Sequence, residues 1–198
     1  MSSQSHYYTC TSLACGTQLA YDQVSIDSLP DGYLIRSRHT LFNSPIPPQE
    51  IRFRVDRDWS PRHIDIKAGA AISAQVRFED ASCSIDMRAP DEEWSEEWPV
   101  ARQAAYIPLA GVLYLPLHLV RRYNFDKSSP QEFHLVPDGV CEVRRASDVT
   151  EDGVRLRVLR ARFACSGASD MLELYVGADG TLVRYLTRQK SQVVKLEQ

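Results

Sequence analysis

The sequence predicts a mainly β protein: one curved antiparallel sheet forming a half-open β-roll or barrel, with one or two short helices covering its concave face. Three observations carry this. Asp-Gly pairs punctuate the chain, the segments between them alternate apolar and polar residues with a period of two, and a single apolar stretch breaks that period.

The pairs are Asp31-Gly32, Asp138-Gly139, Asp152-Gly153 and Asp179-Gly180. Asp-Gly is favoured where a tight hairpin turn demands positive φ. Two of them follow Pro30 and Pro137, where proline also pre-sets the turn.

Between turns, Ile51, Phe53 and Val55 alternate with Arg52, Arg54 and Asp56; Val76 and Phe78 alternate with Gln75, Arg77 and Glu79; Cys83, Ile85 and Met87 alternate with Ser84, Asp86 and Arg88. Each pattern describes a strand with one wet face. In the longest such stretch Val154, Leu156 and Val158 share one parity, while Leu159, Ala161, Phe163 and Cys165 share the other. That flip predicts a β-bulge near Val158 and Leu159. Arg155, Arg157 and Arg162 of the same strand are expected on its solvent side or rim, since an unpaired buried guanidinium is costly.

Residues 1–17, 43–49, 57–62, 89–99 and 126–131 read as irregular. None has the character of a linker, because strand patterns resume on both sides, so the expectation is a single β-roll domain over residues 1–198. The apolar stretch is residues 106–120. It is too short for a bilayer span and holds Pro108, Pro116 and His118. Pro116 argues against a long unbroken helix, leaving one or two helical turns after Pro108 to bury the apolar face of the sheet.

A net charge of −3 gives no reason to expect nucleic acid as a partner. Only Lys67, Lys127, Lys190 and Lys195 of the 23 basic residues are lysine, so the cationic surface is almost wholly guanidinium, suited to bidentate carboxylate or phosphate pairing. Cys10, Cys15, Cys83, Cys141 and Cys165 contain no C-x-x-C pair and read as free thiols. The N-terminus has no basic n-region followed by an apolar h-region, which predicts a cytoplasmic protein. No transmembrane segment and no cofactor are expected, and the oligomeric state is left open.

No G-x-S-x-G, P-loop, G-x-G-x-x-G or H-E-x-x-H occurs, which removes the familiar hydrolase, nucleotide and metalloprotease signatures. His63 and Asp65 share a strand face but lack further ligands, so no metal site is expected. His118, alone in the apolar stretch, is either a satisfied core histidine or a general base kept neutral by burial. Asp91, Glu92, Glu93, Glu96 and Glu97 form an acidic run that reads as a solvated loop. Arg121-Arg122 after the apolar stretch either place guanidinium at the mouth of a greasy pocket, as suits an amphiphile with an anionic or polar head, or simply end a short helix. Trp94 and Trp98 with Tyr106 form an aromatic rim or staple a loop to the sheet.

Asp58, Trp59 and Arg62 stand where a glycolipid-binding family has an Asp-x-x-Trp-x-x-Arg-like turn. The Pro108, Pro116, Leu117, Arg121 and Arg122 segment is similar to its Leu-Pro-x-Arg-Arg-like segment, and Asp179-Gly180-Thr181-Leu182-Val183 resembles its final hairpin. The resemblance runs over roughly residues 30–190. It implies a spiralling β-roll similar to the periplasmic lipoprotein carriers, sheltering acyl chains on its concave face. The chain departs from the family in lacking Asn-Thr-Leu-Pro before the arginines and an export signal.

The expected function is binding of a lipid-like or other hydrophobic small molecule through Trp59, Arg62, Tyr106, Leu113, Tyr114, Leu117, His118, Arg121 and Arg122. One alternative is a cyclase or isomerase in the same cavity, using His118, Asp86 or Asp91, and Tyr106 or Tyr114. Another is an interaction domain whose apolar patch meets a partner chain.

Overall fold

The structure, a computed structural model, describes residues 3–99, 114–135, 139–165, 168–187 and 192–197. The first run of strands is β1 (Ser3–Ser12), β2 (Gln18–Leu29), β3 (Gly32–Leu41), β4 (Gln49–Asp56), β5 (Pro61–Ala68), β6 (Ile72–Phe78), β7 (Ser82–Ala89) and β8 (Glu92–Pro99). Helix α1 (Tyr114–Arg122) follows. The second run is β9 (Gln131–His134), β10 (Val140–Arg145), β11 (Val149–Glu151), β12 (Val154–Cys165), β13 (Ala168–Val176), β14 (Leu182–Thr187) and β15 (Gln192–Leu196).

All strands join one antiparallel sheet in the order β8-β7-β6-β5-β4-β3-β2-β1-β15-β14-β13-β12-β10-β9, with β11 paired to β12. The first eight strands form a meander leading away from β1. The later ones return to it, so that β15 pairs with β1 and, among the described residues, the two edges of the sheet are β8 and β9.

One face of this sheet is apolar across its width. Tyr8, Val24, Ile35, Phe53, Ile64, Val76 and Ile85 from the first run are buried in the same core as Phe133, Val143, Leu159, Leu174 and Tyr185 from the second, together with Leu117, Leu119 and Val120 of α1. Strands so far apart in the sheet order share one core only if the sheet curls, and α1 lies within the curl. The Pro116 ring sits in the first turn of α1, where no intrahelical N–H is lost. That is why this proline does not forbid the helix.

Three expectations are corrected. Residues 3–12 are a strand flanked by β2 and β15 rather than irregular, because Tyr8 and Cys10 face the core while Tyr7 and Thr9 face outward. The acidic run after Asp91 lies in edge strand β8: Trp94 pairs with Met87 and Trp98 with Cys83 on the concave side, while Glu93, Ser95 and Glu97 face out. Its charge suits an unpaired edge, which glutamates protect from joining another chain. Finally, β12 pairs with β10 and β13 without a register shift; the irregularity lies between Tyr175 and Val176 on β13 against β14. The parity flip arises because β12 is buried on both faces. Leu156 and Val158 form a second cluster with Tyr175, packed against Ala146, Val149, Val183 and Leu186, while Leu159 and Ala161 face the main core. Arg184 covers that second cluster, its guanidinium 4.1 Å from the Tyr175 ring centroid and hydrogen-bonded to Glu151.

Arg155 and Arg162 are exposed, as expected, and half-buried Arg157 donates to the carbonyls of Gly177 and Ala178 at the rim. Among the described residues, Cys10, Cys15, Cys83 and Cys141 form no disulfide.

Two Asp-Gly turns make different demands on glycine. Asp152 and Gly153 both have positive φ, 49° and 78°, the conformation of a two-residue hairpin turn, and a Cβ at Gly153 would meet nothing within 4 Å. At Gly32 a Cβ would stand 2.0 Å from the Val55 carbonyl oxygen. Gly32→Ala is therefore expected to destabilise the protein by about 3 kcal/mol through overpacking, against about 1 kcal/mol for the left-handed strain of Gly153→Ala. Urea unfolding midpoints of the two variants check this, and equal shifts would contradict the close approach.

Candidate functional site

The turn between β4 and β5 is organised by one carboxylate. Asp56 Oδ1 accepts from the backbone N–H groups of Asp58 (3.0 Å) and Ser60 (2.8 Å), and Asp56 Oδ2 accepts from Arg62 (3.0 Å). The Trp59 N–H bonds the Asp56 carbonyl at 3.0 Å. Held this way, Trp59 adopts φ 62°, an uncommon conformation for a bulky side chain that persists only where its surroundings enforce it. Its indole stacks on Tyr33 of β3, with centroids 4.8 Å apart and planes 22° from parallel.

The last turn of α1 meets this platform. The Arg121 guanidinium lies 5.4 Å from the Trp59 ring centroid, a cation–π geometry. It also lies against the β13–β14 turn, where a Cβ added to Gly180 would come within 3.7 Å of its Nη1. Arg121 Nε is buried and has no hydrogen-bond partner among the described residues. Its charge acts on two neighbours: it helps burial lower the His6 pKa, and it adds to the Thr181 hydrogen bonds that hold the Asp179 carboxyl below its usual range.

The second guanidinium, Arg122, lies 5.7 Å from the Phe133 ring centroid; burial lowers its pKa, opposed by Asp56 and Asp58. Both arginines sit at the negative end of the helix dipole. The Trp59 turn, the Arg121 helix end and the Asp179-Gly180 hairpin, three segments far apart in sequence, thus converge at one end of the roll.

Deeper inside, His118 is 1% exposed and its ring is 5.3 Å from that of Phe53. Burial, with a smaller contribution from Arg122, lowers its pKa to about 3, so the imidazole is neutral near pH 7. Among the described residues neither ring nitrogen has a hydrogen-bond partner. A second polar feature lies on the concave face of β2 and β3, where Asp22 Oδ1 and His39 Nδ1 are 2.9 Å apart and both residues are buried.

Of the residues singled out from sequence, Trp59 and Arg121 are brought into contact. Arg62 is tied to Asp56, Arg122 covers Phe133, and Leu117 and His118 are packed in the core. Tyr114 opens α1; Tyr106 and Leu113 lie outside the described residues. The acids suggested for an enzyme do not join His118: Asp86 is on the outer face, bonded to Arg77 and Ser95, and Asp91 is in the exposed turn before β8. The reason is strand parity, which puts Asp86 opposite in sense to Ile85.

Sequence reading missed Tyr33, which stacks on Trp59, and His6, which the fold brings within electrostatic reach of Arg121, and it named Asp179 only as part of a turn. It also missed Asp22 and His39, whose signal was available: each occupies a core-phase position among Ala20, Val24 and Ile26, or Ile35 and Leu41. His63 and Asp65 pair with each other at 2.9 Å, and among the described residues no three His, Cys, Asp or Glu side chains gather as a metal site. Among those residues, too, no helix is long and apolar enough to cross a membrane.

No family model matches the chain, and no curated protein matches it in sequence. A solved structure does match. It is a β-barrel-like protein of domain of unknown function DUF1849 from Brucella abortus, with a TM-score of 0.60 and 10% identity over 98% of this chain and 94% of that one. The fold is β-barrel-like. At that identity the likeness extends to the fold alone, and the glycolipid-binding family is not shown by it.

The neutral burial of His118 has a signed consequence. Its folded pKa is below the unfolded value of about 6.5, so the unfolded chain binds the proton more readily. The contribution is fully present above pH ~6.5 and is lost as pH falls toward the folded value, with a slope of up to about 1.4 kcal/mol per pH unit. Urea unfolding between these limits should show His118→Gln losing that part of the slope; an unchanged slope would contradict a buried neutral imidazole.

Proposed function

We propose that the protein binds a hydrophobic small molecule or lipid, with Arg121 on Trp59 receiving its polar or anionic end. The observation that carries this is the state of Arg121. Arg36, Arg54, Arg62, Arg77, Arg145, Arg155, Arg160 and Arg184 are each paired with a carboxylate. Arg121 has an aromatic face beneath it and no hydrogen-bonded carboxylate among the described residues, and it lies in the last turn of the helix whose Leu117, Leu119 and Val120 fill the core. A guanidinium left unpaired in that setting is a ready partner for a carboxylate or phosphate.

The apolar part of the ligand is accounted for by the concave side of the free β8 edge. There Met87 and Trp98 are half-buried, Trp94 is 37% exposed, and the two indoles lie 6.0 Å apart. Tryptophans exposed on the inner side of a curled sheet give an amphiphile rigid apolar surface to lie along. The resemblance of the Trp59, Arg121 and Asp179 segments to a glycolipid-binding family points the same way, as does their convergence at one end of the roll.

Fluorescence titration with dodecanoate and dodecanol tests the reading. Arg121→Ala is expected to weaken dodecanoate at least tenfold, the value of a charge-assisted hydrogen bond, and to leave dodecanol unchanged; Trp94→Ala is expected to weaken both. Failure of the unaltered protein to bind either probe would overturn the proposal.

A further inference from the structure

The main core is not wholly apolar. Asp22, Ser37, His39, His118 and Thr187 are buried polar residues. By strand register Asp22, Ser37 and His39 all face the concave side: Asp22 pairs with Tyr8 and His39, and Ser37 with Val24 and Ile51. Asp22 is 1% exposed. The His39 imidazole satisfies its Oδ1, and its Oδ2 has no hydrogen-bond partner among the described residues. Tyr185, across the β1–β15 seam, is close enough for the Asp22 charge to add to the effect of burial on its phenol, which remains protonated.

An acceptor oxygen left bare in a core is costly, and more so when charged. Buried polar atoms are satisfied almost without exception, so an orphan in a native core calls for an explanation. His118 supplies a second and independent case, since a neutral imidazole carries one donor and one acceptor and here both are unmet. A roll that only filled itself would place Leu or Val at these positions, as it does at Val24, Ile35 and Leu119.

We propose that Asp22, oriented by His39, is a ligand-recognition residue inside the roll, taking a hydroxyl or ammonium donor of the bound molecule on its free Oδ2. The inference rests on the binding reading above and adds the ligand's chemistry: an amphiphile with a hydrogen-bond donor within its apolar part, besides the polar or anionic end that meets Arg121. His39 is a positioning residue. Its bond fixes the carboxylate plane and takes up one oxygen, which leaves the other for the ligand. A carboxylate on the same ligand segment is excluded, because it would face Asp22 with like charge and no donor.

The test compares dodecanoate with its ω-hydroxy and mid-chain hydroxy forms, and with a chain bearing an ammonium group in place of the hydroxyl. In the unaltered protein at least one donor-bearing form should bind about tenfold more tightly than dodecanoate, as expected for a hydrogen bond to a charged acceptor. Asp22→Asn and Asp22→Ala should remove that preference, the donor-bearing forms then binding no more tightly than dodecanoate. Arg121→Ala should weaken dodecanoate and its hydroxy forms alike and leave the preference in place. If dodecanoate binds and every donor-bearing form binds no better, Asp22 holds a structural water only and the inference fails while the binding reading stands. If none of the probes binds, both fail. The comparison on the unaltered protein decides the matter even where an Asp22 variant does not fold.

Discussion

The backbone pairing of Tyr8 with Leu196 and Cys10 with Val194 zips the first strand to the last, and the position of every other strand depends on that seam. Without it the chain would be two separate meanders, each with an apolar face and no means of closing. With it the core becomes continuous from Ile85 on one side to Phe133 on the other. The seam is reinforced from within: the buried Tyr8 hydroxyl donates to the Leu182 carbonyl at 2.9 Å, and the Glu197 N–H to the Tyr7 carbonyl at 2.7 Å. Contacts joining the two ends of a chain close the longest possible loop, so of all the strand pairings this seam carries the largest closure entropy.

Curling the sheet solves a burial problem and creates an electrostatic one. The apolar face needs a partner, and α1 provides Leu117, Leu119 and Val120. The same helix brings two arginines to its C-terminal turn. The fold accommodates them on aromatic faces, Trp59 under Arg121 and Phe133 under Arg122. The Asp56-organised turn presents Trp59 in a backbone conformation that the indole would not choose in isolation. Spending a strained residue on a platform for one cation is economical if that cation has work beyond holding the helix.

Much of the fold was legible in the sequence, for an identifiable reason. Alternation around Phe53, Val76 and Ile85 fixes which face is buried, and the Asp-Gly turns fix where chains reverse. What escaped was whatever depends on a second layer. The parity flip in β12 looked like a bulge because burial under residues 146–149 on its outer face has no local signature. Strand β8 looked like a loop because glutamates at its core-phase and outer positions hide the Trp94 and Trp98 alternation. Of the site, Trp59 and Arg121 were recoverable as residue types in a motif, but their contact was not, since they lie 62 positions apart. Asp22 and His39 were visible as polar residues in apolar phase and were passed over.

Native mass spectrometry of the purified protein, before and after solvent extraction, tests most directly whether the roll holds a small molecule. The account predicts a mass above that of the chain which falls to the chain mass on extraction, the released compound being an amphiphile with a polar or anionic end. A mass equal to that of the chain alone in both spectra, with no compound in the extract, would contradict it.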